Sequence, residues 1–198
     1  MLTSPPNLLT LVRIGLIPVL LVLLHLEGGW ARWLACAVYT IAASTDYLDG
    51  WLARSLDQHS RLGRWLDPVA DKLLVAATVL VLVAFDRAPL LPSLVILMRE
   101  ITISGLREYL AEARLVLPVS RLAKWKTAVQ MTALGFLIVG DAGPRWLFVP
   151  EIGFWGLWLA ALLTIVTGWD YVQRSVGHML AERAEGRLRP AGGATPTR

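Results

Sequence analysis

The sequence predicts an all-α, polytopic membrane protein with six transmembrane helices and an N-terminal interfacial segment. Hydrophobic residues make up 56% of the 198 residues and charged residues only 17%, whereas soluble domains average about 45–50% and about 25%. The mean hydropathy is +0.56, and the apolar residues fall in runs close to the roughly 20 residues that a helix needs to cross a bilayer. We expect one membrane domain, residues 1–180, followed by a disordered tail, residues 181–198.

The apolar runs predict where each helix lies. The first run, residues 8–26, contains Arg13 and Pro18. Because a charged residue is costly in lipid, we expect this segment to begin along the interface and then enter the bilayer. Two prolines before it should delay the helix until about residue 7. The other helices are predicted at residues 31–54, 64–85, 90–113, 122–140 and 146–172.

The start of the third helix is predicted from its proline. Proline lacks an amide hydrogen and is best tolerated in the first turn of a helix. Pro68 therefore predicts a helix that starts between residues 64 and 68. Asp67 would then lie near the N-terminus of this helix.

The basic residues predict the orientation in the membrane. Six spans place both termini on one side, and the loops and tail of that side hold most of the arginines and lysines. The opposite loops hold Arg32, Arg87 and Arg145. By the positive-inside rule the basic side is cytoplasmic, so we expect a multi-pass protein of the inner membrane with both termini in the cytoplasm.

The composition also excludes some classes of site and partner. Cys36 is the only cysteine, so the chain can form neither a disulfide framework nor a thiolate zinc site. The net charge of +4 is less informative than the positions of the charges, and no nucleic-acid partner is expected.

Four aspartates flank the loop between the second and third helices. Asp46 and Asp49 end the second helix, and Asp67 and Asp71 begin the third. Residues three or four apart share a helical face, so the two helix ends could aim four carboxylates at one point. Four carboxylates cannot all stay ionised without compensation, and the negative end of a helix dipole is unfavourable for the first two. We therefore predict a site for Mg²⁺ or Mn²⁺, with two divalent ions, rather than an ordinary solvated loop.

Small and basic residues in the same stretch suit a diphosphate ligand. Gly50 and Ala53 share the face of the first two aspartates and leave room for a ligand to approach the backbone. Arg54, Arg61 and Arg64 offer positive charge to the phosphates.

The pattern D-x2-D-G-x2-A-R-x8-G-x3-D-x3-D is filled at every position from Asp46 to Asp71. It resembles the signature of the CDP-alcohol phosphatidyltransferases. The resemblance implies that Asp46, Asp49 and Asp67 bind metal ions, and that Asp71 is a metal ligand, the general base, or both. It further implies that the CDP moiety is contacted by Asp49, Gly50, Ala53, Arg54, Gly63 and Asp67.

Three further segments resemble the branch of that family that uses glycerol 3-phosphate. They are P-N-L-L-T-L-V-R at residues 6–13, R-E-I-T-I-S-G-L-R-E at 99–108 and K-W-K-T-A-V-Q-M at 124–131. The resemblance implies transfer of the phosphatidyl group from CDP-diacylglycerol to sn-glycerol 3-phosphate, with release of CMP. A phosphorylated acceptor needs a cationic pocket, and the candidates are Arg107, Lys124, Lys126 and Arg121. Membrane topology alone is the alternative explanation for these basic residues.

Other interpretations stay open at this point. The same chemistry could serve another acceptor, such as inositol phosphate, serine or choline. A membrane prenyltransferase also uses aspartates to bind a diphosphate, and a cation transporter would use them as an ion site near the middle of the bilayer. Arg99 and Glu100 are expected to pair with neighbours rather than to bind substrate. Membrane lipids are expected around the helices, and the protein could be a monomer or a homodimer.

Overall fold

The computed structural model describes the backbone of residues 5–56, 61–112 and 121–188, and the side chains of residues 8–45, 66–111 and 121–177. These residues form six α-helices: α1 (Pro5–His25), α2 (Gly29–Leu56), α3 (Arg61–Ala84), α4 (Leu90–Glu112), α5 (Arg121–Val139) and α6 (Val149–Leu188). Two short 3-10 helices, Gly140–Ala142 and Arg145–Leu147, join α5 to α6. No strand occurs in the described ranges, which confirms the predicted all-α class.

Prolines explain why the observed starts of α1 and α3 differ from the sequence-based expectation. Helix α1 already begins at Pro5, because a proline fits the first helical turn, where its missing amide hydrogen is not needed. Helix α3 begins at Arg61 and contains Pro68 in its interior, so the prediction that Pro68 marks a first turn is wrong. Neighbouring helices can satisfy the carbonyl that an interior proline leaves without its donor. The early start also places Gly63 on the same helix as Asp67 and Asp71.

Helix α6 extends farther than its apolar run. It continues past the predicted end at residue 172 to Leu188, and so includes residues 181–188, where the composition predicted disorder. This stretch is rich in Ala, Leu, Glu and Arg, which are strong helix formers. Residues 189–198, the rest of the predicted tail, lie outside the described residues.

The bundle is apolar on its outer surface as well as in its core. Leu20, Leu74, Leu134 and Leu157, on four different helices, are completely buried in one hydrophobic core. Large apolar side chains also cover the outside, among them Ile101 at 72% exposure. Extensive exposed apolar surface is typical of proteins that contact a membrane or a partner.

Two stretches among the described residues are long and apolar enough to cross a membrane. They are Leu8–His25, in α1, and Arg145–Gly177, which includes most of α6. The finding is consistent with a membrane protein, and the spans assigned to α2, α3, α4 and α5 stay predictions. Helices α3, α4 and α5 carry the charged side chains that line the cavity described below.

Side-chain contacts define two ends of the bundle. At one end, Trp33 of α2 donates a hydrogen bond to the carbonyl of Ala142 (3.1 Å), and Arg87 donates to the carbonyl of Leu24 (3.4 Å). At the other end, which we call the site end, α2 and α4 finish and α3 and α5 begin. The residues of the predicted site therefore come from different helices that meet at the site end.

Candidate active site

A cavity of about 970 Å³ opens among α3, α4 and α5 at the site end. Helix α3 contributes Asp67 and Asp71 to its wall, α4 contributes Arg107, and α5 contributes Lys124 and Lys126. Acidic and basic residues that are up to 59 positions apart in the sequence thus line one space. The cavity is large enough for a small-molecule substrate.

Helix α1 supports the acidic wall of the cavity. Asp67 and Asp71 are one helical turn apart and therefore share a face of α3. The hydroxyl of Thr10, which is fully buried, donates a hydrogen bond to Oδ1 of Asp67 at 2.5 Å. A hydrogen bond of this kind restricts the orientation of a carboxylate. Thr10 was not among the residues predicted for the site.

A second contact from α1 reaches the end of α2. Arg13 is fully buried, and its Nε donates a hydrogen bond to Oγ1 of Thr45 at 3.0 Å. Thr45 directly precedes Asp46, so this side-chain bond links α1 to the turn of α2 that carries the first predicted metal ligand. The expectation that Arg13 marks an interfacial segment missed this role, since the guanidinium is enclosed by the bundle.

Several predicted residues are placed by their helices alone. Asp46, Asp49, Gly50, Ala53 and Arg54 belong to α2, and their side chains lie outside the described residues. The same holds for Gly63, Arg61 and Arg64 in α3. Their predicted contacts with metal and CDP therefore stay predictions.

The basic wall of the cavity contains a buried ion pair. Lys126, only 3% exposed, donates to the carboxylate of Glu100 on α4. Arg99 approaches the same carboxylate, with Nη1 at 3.7 Å from Oε1. The expectation that Arg99 and Glu100 pair with neighbours is confirmed. Lys126 thus has a carboxylate partner within the protein, and its predicted contact with the acceptor phosphate stays a prediction.

Helix α6 contacts Arg99, the third charged residue at this ion pair. Nη2 of Arg99 donates to Oγ1 of Thr167 at 3.3 Å. Gly168 follows, and a Cβ atom there would come within 3.1 Å of Cγ of Arg99. The glycine therefore gives Arg99 the space to lie against α6, and Arg99 in turn borders Glu100.

The remaining basic candidates differ in position. Arg107 and Lys124 line the cavity and are exposed, so both are accessible to an anionic ligand. The guanidinium carbon of Arg107 lies 5.9 Å from the centroid of the Tyr171 ring, within the range of a cation–π contact. Arg121 is exposed at the start of α5 and is not part of the cavity wall.

Comparison with known proteins identifies the family of the chain. The family model for CDP-alcohol phosphatidyltransferase matches residues 3–166. The chain belongs to the CDP-alcohol phosphatidyltransferase family. The match includes Thr10, Arg13 and every cavity residue named above, in addition to the aspartate signature.

The chain is also similar to individual members of the CDP-alcohol phosphatidyltransferase family. It is 43% identical over 84% of its length to CDP-diacylglycerol–glycerol-3-phosphate 3-phosphatidyltransferase of Rickettsia typhi, 93% of which is covered. It is 36% identical over 86% of its length to the Bacillus subtilis protein of the same name, with 94% covered. The Cereibacter sphaeroides protein of the same name is 33% identical to this chain. The match covers 91% of this chain and 99% of the length of that protein.

The carboxylates in the cavity wall suit the metal ions that this family uses. CDP-alcohol phosphatidyltransferases generally use divalent metal ions. The carboxylates of Asp67 and Asp71 are hard oxygen ligands, which Mg²⁺ and Mn²⁺ prefer, and they lie one helical turn apart on the same face of α3. Among the described side chains, no three potential metal ligands form a cluster. The side chains of Asp46 and Asp49 lie outside the described residues. The residues present therefore fit a divalent ion, to which Thr10 would contribute by orienting Asp67.

Proposed function

We propose that this protein transfers the phosphatidyl group from CDP-diacylglycerol to sn-glycerol 3-phosphate, which yields phosphatidylglycerophosphate and CMP. The observation that carries the proposal is the single cavity that joins Asp67 and Asp71 to Arg107 and Lys124. One wall suits a metal-bound diphosphate, and the other suits the phosphate of a charged acceptor. The names of the similar proteins support the same donor and acceptor.

The donor would bind at the end of α2. Gly50 and Ala53 leave that helical face open to the CDP moiety, and Arg54 and Gly63 complete its contacts. Two divalent ions would be held by Asp46, Asp49, Asp67 and Asp71, and when bound they neutralise the diphosphate and the charge that develops on the departing CMP. The lipid tails would lie in a groove between helices that opens to the bilayer.

The reaction is a displacement at the β-phosphorus of CDP-diacylglycerol. Asp71 accepts the proton of the attacking hydroxyl of glycerol 3-phosphate. The hydroxyl oxygen forms a bond to the β-phosphorus, and the bond from that phosphorus to the bridging oxygen breaks. The bridging oxygen keeps the electron pair and leaves as part of CMP, while phosphatidylglycerophosphate stays in the membrane.

The acceptor phosphate would bind to the exposed cations of the cavity. Arg107 offers a planar group that can form two parallel hydrogen bonds to a phosphate, and Lys124 adds a point charge. Lys126 is neutralised by Glu100, so its contribution is to shape the wall and to hold α4 against α5. This division of roles narrows the predicted acceptor pocket to Arg107 and Lys124.

The cavity would face the cytoplasm, where glycerol 3-phosphate is dissolved. This orientation follows from the basic loops and requires all six helices to cross the inner membrane. The exposed apolar surface of the bundle supports such a placement. Residues 1–180 would then form the membrane domain, with both termini in the cytoplasm.

The test is an assay of CMP release by purified protein in detergent. The reaction contains CDP-diacylglycerol, Mg²⁺ or Mn²⁺, and one acceptor at a time: glycerol 3-phosphate, inositol phosphate, serine or choline. We expect metal-dependent CMP release with glycerol 3-phosphate alone. Release with another acceptor instead would overturn the choice of acceptor, and no release with any of them would overturn the reaction.

A further inference from the structure

A second, smaller cavity of about 80 Å³ adjoins the first. The two share part of their walls, including Asp71, Glu100 and Lys126. The small cavity extends one helical turn farther from the site end, where it is bordered by Gln130 of α5. Its volume exceeds the roughly 30 Å³ that one water molecule occupies in the liquid. The space beside Asp71 is therefore large enough to hold a small polar group.

Gln130 has an unsatisfied polar atom at this cavity. Its side chain is only 2% exposed, and within the part of the chain that the structure describes its Oε1 is buried without a hydrogen-bond partner. Such atoms are rare in folded proteins because burying an acceptor without a donor is unfavourable, and each one calls for an explanation. Since Lys126, one turn away on the same helical face, is paired with Glu100, it does not provide that partner.

The residues around the small cavity indicate which kind of group would donate a hydrogen bond to the amide oxygen of Gln130. Apart from Gln130, the part of the wall that is not shared with the main cavity is apolar and includes Val75, Leu97 and Met131, which does not suit a second charged phosphate. A hydroxyl is small and neutral, and it can donate to the amide oxygen. Because Asp71 lines both cavities, an alcohol held in the main cavity with one hydroxyl at Asp71 can place a second, nearby hydroxyl in this space.

We propose that the small cavity is a subsite for the non-reacting hydroxyl of the acceptor, with Gln130 as its hydrogen-bond acceptor. The inference rests on the proposed function and identifies a feature of the acceptor that the enzyme recognises. In glycerol 3-phosphate this group is the hydroxyl of the middle carbon, between the attacking hydroxyl and the phosphate. The enzyme thus selects a vicinal diol, in addition to a phosphate.

The test compares two acceptors that differ only in that hydroxyl. One is sn-glycerol 3-phosphate, and the other is 3-hydroxypropyl phosphate, which keeps the attacking hydroxyl and the phosphate at the same spacing. Loss of a hydrogen bond to a buried group should lower kcat/KM by about tenfold or more. In the Gln130→Met variant, which has a side chain of similar length but no acceptor, the preference should fall to about twofold or less.

The matched control is Gln173→Met. Gln173 is exposed on α6 and lies outside both cavities, so this variant should keep the full preference of the wild type. Because the readout is a ratio between two acceptors, a general loss of folded enzyme cancels out. If Gln130→Met does not fold, the wild-type ratio still tests the proposal, because equal kcat/KM for the two acceptors would overturn it.

The outcomes separate this proposal from the proposed function. Equal kcat/KM for both acceptors in the wild type, or an unchanged preference in Gln130→Met, would overturn the subsite and leave water as the occupant of the small cavity. Failure of the wild type to release CMP with glycerol 3-phosphate would overturn the acceptor assignment itself.

Discussion

Breaking the buried ion pair between Lys126 and Glu100 should destabilise the protein, and removing both charges should restore most of the lost stability. Lys126→Met leaves the Glu100 carboxylate inside the bundle without its main partner. Loss of one member of a buried pair typically costs about 3–5 kcal/mol. The lower end applies here, because Glu100 retains Arg99 at 3.7 Å and is itself 26% exposed.

The expected change is large enough to measure by thermal unfolding in detergent. For a chain of this size about 1 kcal/mol corresponds to roughly 2–4 °C in Tm, so Lys126→Met should lower the Tm by about 6–12 °C. Tryptophan fluorescence is a suitable signal, because the chain has nine tryptophans. The Glu100→Gln variant should show a loss of similar size.

The double variant, Lys126→Met with Glu100→Gln, gives the decisive measurement. Replacing a buried pair with uncharged groups is often nearly neutral, so we expect its free energy of unfolding to lie within about 1 kcal/mol of the wild type. The matched control is the exposed pair of Arg174 and Asp170 on α6, whose charged atoms are 3.0 Å apart. Arg174→Met should cost only about 0.3–0.5 kcal/mol. Additive losses in the buried double variant would refute the argument, because they would show that the two charges do not depend on each other.

Three further predictions concern activity, each measured as CMP release by purified protein. Asp71→Asn should abolish release while the protein still inserts into the membrane, because an amide cannot accept the hydroxyl proton. Thr10→Val should lower activity or metal affinity by about 10–100-fold, the usual effect of losing a group that orients a metal ligand, whereas Thr10→Ser should keep near-normal activity. Lys124→Glu should raise the KM for glycerol 3-phosphate by at least about tenfold through loss of a charged contact, with the KM for CDP-diacylglycerol unchanged.

Each of these predictions has an outcome that contradicts it. Near-normal turnover in Asp71→Asn would exclude the proposed base. Equal activity in the Val and Ser variants at Thr10 would show that its hydroxyl has no role at Asp67. For Lys124→Glu the matched control is Arg145→Glu, a reversal of an exposed charge in the 3-10 helix Arg145–Leu147 at the opposite end of the bundle. A similar rise in KM in both variants would mean that net charge, rather than Lys124, attracts the acceptor.

The sequence predicted the positions of the helices wherever an apolar composition determines them. The apolar runs predicted all six helices, because a long apolar run can satisfy its backbone in lipid only as a helix. The ends of α3 and α6 were predicted less well. Pro68 suggested a helix start, yet α3 extends back to Arg61, and α6 continues to Leu188 through residues that favour helix without being apolar. Local propensity and packing, rather than hydropathy, determine these ends.

The sequence by itself identified the family of the protein and predicted the chemistry of the donor side. Within each helix the spacing is local, so helical periodicity alone predicts one shared face for Asp46 and Asp49 and another for Asp67 and Asp71. Only the tertiary structure decided which distant residues complete the site. It brings Thr10 to Asp67, encloses Arg13 beside Thr45, and pairs Lys126 with Glu100. Contacts between helices depend on how those helices pack, and a single sequence carries no direct record of that packing. For the same reason the unsatisfied oxygen of Gln130, on which the choice of acceptor would depend, became visible only in the folded bundle.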